Sequence, residues 1–283
     1  MAAKLTSAIL CYAFALCSYA ETSGGTNFIE RVNEFVKISA FAEVQSSYLA
    51  RGKVVDKHPF SAQFANGELM LGDFGHIGAY VWSVTSFTGD GQSAQKRYAY
   101  NEADYNLHYV YDLELAEGWS LENRLARQWV TLPGYRGSAK TFCEWHVAHA
   151  LRNPYVTPYY LMRHACRPND WTYWCVGARK TIPITEDLSF TVDFFGDLGD
   201  ARHFQDQYGS KPGEPGSHYH GGLQALNLVL RLDYSLTEYL GIYAFVWQFD
   251  IVSDEARNSV KESAAHESRR DVTVGGVGIS LNF

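Results

Sequence analysis

Between Glu102 and Asp112 a polar side chain stands at almost every second position: Glu102, Asp104, Asn106, His108 and Asp112, interrupted only by Val110. Residues two apart share one face of an extended strand. The segment therefore lines up three carboxylates, an amide and an imidazole. The same spacing marks Glu43 and Gln45; Glu122, Arg124 and Gln128; Glu144; Arg179; Asp193; and Arg231 and Asp233. Groups arranged in this way can pair with one another as filling, line water and select ions, or supply acid, base and nucleophile for hydrolysis.

Hydrolysis needs a nucleophile beside a base that a third group orients. His146 and His149 lie on one segment, and His108 stands among acids, but no serine has a distinctive setting and no Gly-x-Ser-x-Gly turn occurs. No catalytic residue is expected. A second cluster, His203, Asp206, His218 and His220, lies in a stretch rich in glycine and proline. His218-x-His220 can set two imidazoles on one side of an extended chain, but such loops are commonly plain surface, and neither metal nor cofactor is expected. Cys166 and Cys175 flank Arg167-Pro168-Asn169-Asp170, which makes them a candidate disulfide across a hairpin mouth, with free thiols, Cys143 included, as the alternative.

The elements that must carry these residues are strands. Opposite the polar line at 102–114 run Ala103, Tyr105, Leu107, Tyr109, Tyr111, Leu113 and Leu115. In Ala225 to Ser235, Leu226, Leu228, Leu230, Leu232 and Tyr234 alternate with polar residues. A helix would mix these sets on every face. About twelve such runs follow one another, beginning near Phe35, Phe60, His76, Arg97, Trp119, Thr141, Tyr155, Trp171, Leu188, Gln224, Leu240 and Val272. Tight links (72–75, 116–118, 152–154, 185–187, 235–238) alternate with longer ones (52–59, 88–96, 133–140, 196–222, 253–270), and only 167–170 is short on the second side. Short turns at one rim and long loops at the other predict an all-β, closed antiparallel transmembrane barrel of about 12 strands in an up-and-down meander.

The bulk numbers agree. The chain has 283 residues, 46% of them hydrophobic, with 19 Tyr, 16 Phe and 7 Trp, and a net charge of −7 that gives no general attraction to nucleic acid. Lys4, the apolar stretch Leu5 to Cys17, and Ser18-Tyr19-Ala20 read as a signal peptide over 1–20. A periplasmic lead over 21–34 and a barrel over 35–283 follow. Export favours apolar side chains facing lipid and polar ones facing a lumen, and aromatics near strand ends (Tyr80, Trp82, Trp119, Trp129, Trp171, Trp174) fit interfacial girdles. The last strand carries Thr273, Val277, Ile279, Leu281 and Phe283 on one face, an ending of the kind that outer-membrane assembly machinery recognises. The expected partners are therefore outer-membrane lipid and the barrel-assembly machinery, the latter through the strand ending at Phe283.

Ser46-Ser47-Tyr48 followed by Arg51-Gly52, together with Tyr100-Asn101-Glu102 and Asp104-Tyr105, resembles the TorF-type putative porin family. The resemblance implies an exported Gram-negative barrel and the motif residues Arg51, Gly52, Asn101, Glu102, Asp104 and Tyr105, without a substrate; the loop 196–222 departs from it. A bacterial outer-membrane location follows from export. The leading expectation is a narrow, mildly cation-preferring channel for small solutes or ions, because acids outnumber bases on the polar face. The second is a structural or adhesive barrel with ligand-binding loops, and a phospholipase-like barrel hydrolase is a remote third.

Overall fold

The computed structural model describes residues 35–51, 53–56, 58–87, 100–132, 141–209, 211, 218–262 and 270–283. The signal peptide and the whole lead read from the sequence, and Gly52, lie outside these residues. The elements are β1 (Val36–Gln45), β2 (Tyr48–Ala50), β3 (Lys53–Asp56), β4 (Phe60–Met70), β5 (His76–Ser86), β6 (Tyr100–Ala116), β7 (Trp119–Thr131), β8 (Thr141–Arg152), β9 (Thr157–Ala165), β10 (Thr172–Pro183), β11 (Leu188–Gly199), α1 (Ala201–Tyr208), β12 (Gly222–Ser235), β13 (Leu240–Ile251), α2 (Asp254–Glu262) and β14 (Asp271–Asn282).

Twelve strands close one barrel in meander order, β1 meeting β4 on one side and β14 on the other, while β2 and β3 form a separate hairpin. Closure satisfies both edges of every strand, which lipid demands because it offers no hydrogen bonds. At the seam Glu43 opposes Gly278 and Ala42 opposes Ile279. The ladder is completed by the last residue, since Phe283 N donates to Ile38 O at 2.8 Å and Ile38 N donates to Phe283 O at 3.0 Å. The Phe283 ring stacks on Tyr239, with centroids 5.1 Å apart.

Alternation assigns the two faces. Leu107 (56% exposed), Leu125 (50%), Phe194 (51%) and Val277 (60%) point outward, an apolar coat far larger than a protein surrounded by water tolerates. Glu102, Asp104, Asn106 and His108 are buried on the opposite parity. Among the described residues no helix is long and apolar enough to cross a membrane; the strands do the crossing. Short turns lie at the rim where β1 begins and β14 ends. One of them holds Gly75 at φ +81°, where a Cβ would stand 2.1 Å from Val110 O, so only glycine fits.

Two expectations need correction. Of the aromatics assigned to girdles, Tyr80, Trp82 and Trp171 face inward: Tyr80 opposes Asn106 and Trp82 opposes Asp104 in the polar-face register, and Trp171 packs with Ala165, Tyr173 and Cys175. The segment 196–222 is not one loop, because β11 continues to Gly199 and α1 follows at once. Asp200 caps α1, its side chain accepting from His203 N at 2.7 Å.

Candidate channel lumen

Inner-face residues follow the pleat around the wall. Each strand contributes every second side chain, and glycines on that face make room for rings to lie flat. A Cβ on Gly278 would stand 2.5 Å from Tyr243 Cζ. The bare glycine lets the Tyr243 ring cross β14 and donate from its hydroxyl to Glu43 Oε2 at 2.7 Å. Gly276 lies under the Phe245 ring and Gly177 under Tyr159 in the same way. Rings also pack side by side around the wall: Phe41 on Phe64 (5.1 Å), Phe64 on Tyr80 (5.3 Å) and Tyr80 on His108 (6.0 Å).

The polar groups interlock. Gln128 donates to Asp104 Oδ2 at 2.6 Å while its carbonyl oxygen accepts from Tyr80 (2.6 Å) and Asn106 (3.4 Å). His108 reaches Asn106 Oδ1 (3.1 Å) and Glu68 Oε1 (3.2 Å). Across the barrel Arg179 pairs with Asp193 at 2.6 Å, Asn227 donates to Asp197 at 2.9 Å, and Arg231 pairs with Asp233 at 2.6 Å beside the Tyr243 ring. Such pairing satisfies groups that would otherwise be costly to hold away from water.

A hairpin enters this lumen. The β2–β3 chain folds inward so that Tyr48 (5% exposed) and Leu49 (6%) are buried. Tyr48 donates to Glu102 Oε2 at 2.7 Å and packs on Phe60 and Trp82. Arg51, left-handed at φ 49°, extends to the far wall, where Nη2 meets Glu144 Oε1 at 3.0 Å. Its guanidinium also stands over the rings of Phe142 (5.4 Å) and Trp171 (5.7 Å), and Gln224 donates to Arg51 O at 3.2 Å. Leu49 joins Phe204 and Tyr208 of α1, Tyr219, and Ala256 of α2 in one apolar cluster. Hairpin and helices together cap the long-loop end. Glu255 on α2 fastens this cap, accepting from Lys211 Nζ (2.6 Å) and His220 N (3.0 Å), with His220 Nδ1 at 2.8 Å. Burial raises its carboxyl, but those hydrogen bonds outweigh burial and hold it at about 2.

Beneath the cap is a cavity of about 850 Å³ that extends from Arg51 past Asp104, Arg124 and Arg163 to Lys37, Asn282 and Phe283 at the short-turn rim. Among the described residues, the buried atoms Arg124 Nε, Arg163 Nε and Asp104 Oδ1 have no hydrogen-bond partner.

The expected lumen residues share the inner parity. Glu43, Glu102, Asp104, Asn106, His108, Glu144, Arg179, Asp193, Arg231 and Asp233 take part in the wall contacts above or adjoin them. Gln45 hydrogen-bonds Glu43, Glu122 pairs with Arg152 near the short-turn rim, and Asp112 is exposed near that rim. Sequence reasoning missed Arg163, Asp197, Glu68 and the whole inserted hairpin. The two segments behind the family resemblance meet through Tyr48 and Glu102; the Asn101 side chain lies outside the described residues, and Tyr105 faces outward at 37% exposed. Of the histidines considered for hydrolysis, His146 faces inward onto Glu144 at 2.9 Å, whereas His149 faces outward onto Asn123 Oδ1 at 2.9 Å. His218 and His220 take no part in any group of three or more metal-ligating side chains among the described residues. Among the described residues, Cys143, Cys166 and Cys175 are free thiols. The register sets Cys175 opposite Leu161 and Asp197 on the inner face, away from Cys166, whose N–H donates to Cys143 O at 2.8 Å.

No protein-family model matches the chain, and no curated protein matches it either. Solved structures do. The COG4313 outer membrane channel from Pseudomonas putida F1 aligns with TM-score 0.53 at 10% identity over 88% of this chain and 96% of that one. The NanC porin gives 0.49 at 10% identity over 87% and 100%. Outer membrane phospholipase A from Escherichia coli gives 0.44 at 12% identity over 88% and 92%. At such identities the first of these speaks for the fold alone, a closed barrel of the outer-membrane kind.

Proposed function

We propose that this protein is an outer-membrane channel for passive passage of small solutes or ions, exported by its N-terminal segment and narrowed by the β2–β3 hairpin. The observation that carries this reading is the inner wall: a closed barrel with an apolar outer coat surrounds a cavity of about 850 Å³ lined by charged and aromatic side chains. A barrel serving only as an anchor has no need for arginines and a carboxylate, Arg124, Arg163 and Asp104, among the residues lining its cavity.

The ionic character follows from the wall. Glu43, Glu68, Glu102, Asp104, Glu144, Asp193, Asp197 and Asp233 outnumber Lys37, Arg51, Arg124, Arg163, Arg179 and Arg231, so the lumen favours cations mildly. The resemblance to TorF-type porins fits this reading, since its motif halves meet at the constriction through Tyr48 and Glu102. The test is planar-bilayer recording of the detergent-folded chain under a salt gradient. A reversal potential of cation-selective sign supports the reading; absence of conductance, or anion selectivity, contradicts it.

A further inference from the structure

Arg127 is a cation on the outward face. Directly opposed residues of β4 to β8 form the row Gly67, Ala79, Leu107, Arg127, Trp145. The Arg127 guanidinium lies 4.6 Å from the Trp145 ring centroid and 6.0 Å from that of Trp129, and Nη2 donates to Cys143 Sγ at 2.9 Å. None of its contacts among the described residues is a carboxylate. No described carboxylate compensates its charge, on a face where a cation costs about 2–4 kcal/mol at mid-membrane and about 0–1 near the interface.

The depth resolves this. Trp119 and Trp129 both face outward on β7, ten residues apart, which on a strand tilted by ~40° spans roughly 25 Å, the height of an apolar band. Trp119 lies at the short-turn rim, so Trp129 marks the boundary on the long-loop side, and Arg127, two residues and about 5 Å inside it, is within side-chain reach of the headgroups. From Arg127 a groove of about 660 Å³ runs down the outer wall over Leu107, Ala79, Gly67 and Leu69. At Gly67 a Cβ would meet nothing within 4 Å, so the missing side chain leaves the groove open.

We infer that Arg127 and this groove bind a membrane lipid with a phosphate monoester headgroup, the phosphate taken by the guanidinium and one acyl chain lying in the groove. Arginine presents a planar fork of donors that matches phosphate oxygens. The two tryptophans hold the fork at the interface, and the groove is apolar where the chain must lie. The inference rests on the membrane-spanning reading of the barrel.

The test is native mass spectrometry of the full chain folded in neutral detergent, with diphosphorylated lipid A as probe and its dephosphorylated form as control. Heat-modifiable gel mobility is checked first in each variant; a chain lacking it has failed the barrel reading and not the lipid one. The folded wild type should retain the phosphorylated probe about tenfold better than R127Q, with R127K between them. G67L, which fills the groove and leaves Arg127 in place, should also lose the probe. Equal retention by wild type and R127Q, indifference to the phosphates, displacement by inorganic phosphate alone, or occupation of the face by a second copy of the chain would each overturn the inference.

Discussion

The Arg51 guanidinium stands 3.0 Å from the Glu144 carboxylate, and this contact fixes the tip of the inserted hairpin to the opposite wall of the barrel. Glu144 is fully buried and Arg51 nearly so. The pair therefore holds a segment that would otherwise be a surface loop across the passage.

Replacing Arg51 with alanine leaves the Glu144 carboxylate without its main counter-charge, a loss of about 3 kcal/mol for a buried pair. The hairpin should loosen from Phe142 and Trp171. Single-channel recording should give a conductance at least about twofold higher, and the loss of one positive charge should move selectivity further toward cations.

Tyr243→Phe removes a hydroxyl donor from Glu43 across the barrel seam. Denaturant unfolding of vesicle-inserted protein should show a loss of about 1.5–3 kcal/mol, the range for a hydrogen bond to a charged group. Gly278→Ala pushes a methyl into the Tyr243 ring and breaks the same bond, so its loss should equal or exceed that of Tyr243→Phe. A harmless Gly278→Ala would mean that the ring does not lie over β14.

The Glu255 carboxyl sits at about 2 in the folded cap against an ordinary 4.5. A depressed value stabilises the cap above the ordinary one, and that contribution disappears as pH falls toward the folded one. Protection of α1 and α2 against hydrogen exchange, taken relative to the intrinsic amide rate at each pH, should therefore fall between about pH 4.5 and pH 2. Glu255→Gln should exchange faster at neutral pH and lose the pH dependence. A cap equally protected at both ends of that range would contradict the assignment.

Mild thiol oxidation should join Cys143 to Cys166 in preference to Cys175. Opposed residues of a hydrogen-bonded antiparallel pair have Cα atoms about 5.5 Å apart, within the disulfide range. Peptide mapping should recover the Cys143–Cys166 link, and a Cys166–Cys175 link would require the β9–β10 register to be broken.

Strand order, face assignment and the closing strand were legible because one physical rule, period two, governs them all. The alternation from Glu102 to Leu115 needed only the choice of which face meets lipid. β9 was harder: Tyr159 and Leu161 face inward while Tyr160 and Met162 face outward, so apolar residues occupy both sides and Arg163 stands out on neither. The hairpin was hidden for a different reason. Tyr48-Leu49-Ala50 and Val54-Val55 on either side of Arg51-Gly52 are two short apolar runs around a turn, a hairpin signal in their own right. A loop in a barrel sequence is read as surface, and nothing local says that it folds inward to bury Leu49 against α1 and α2. The same holds for Tyr80 and Trp82, whose rings suit an interface as well as a lumen until the register with Asn106 and Asp104 is known.

Whether a hairpin pinned through Arg51 narrows the passage is decided by the single-channel conductance of wild type and Arg51→Ala, both folded and inserted in planar bilayers under a salt gradient. The wild type should give a small, cation-selective conductance and the variant a larger one. Silent bilayers from both proteins, or equal conductance, would contradict that narrowing.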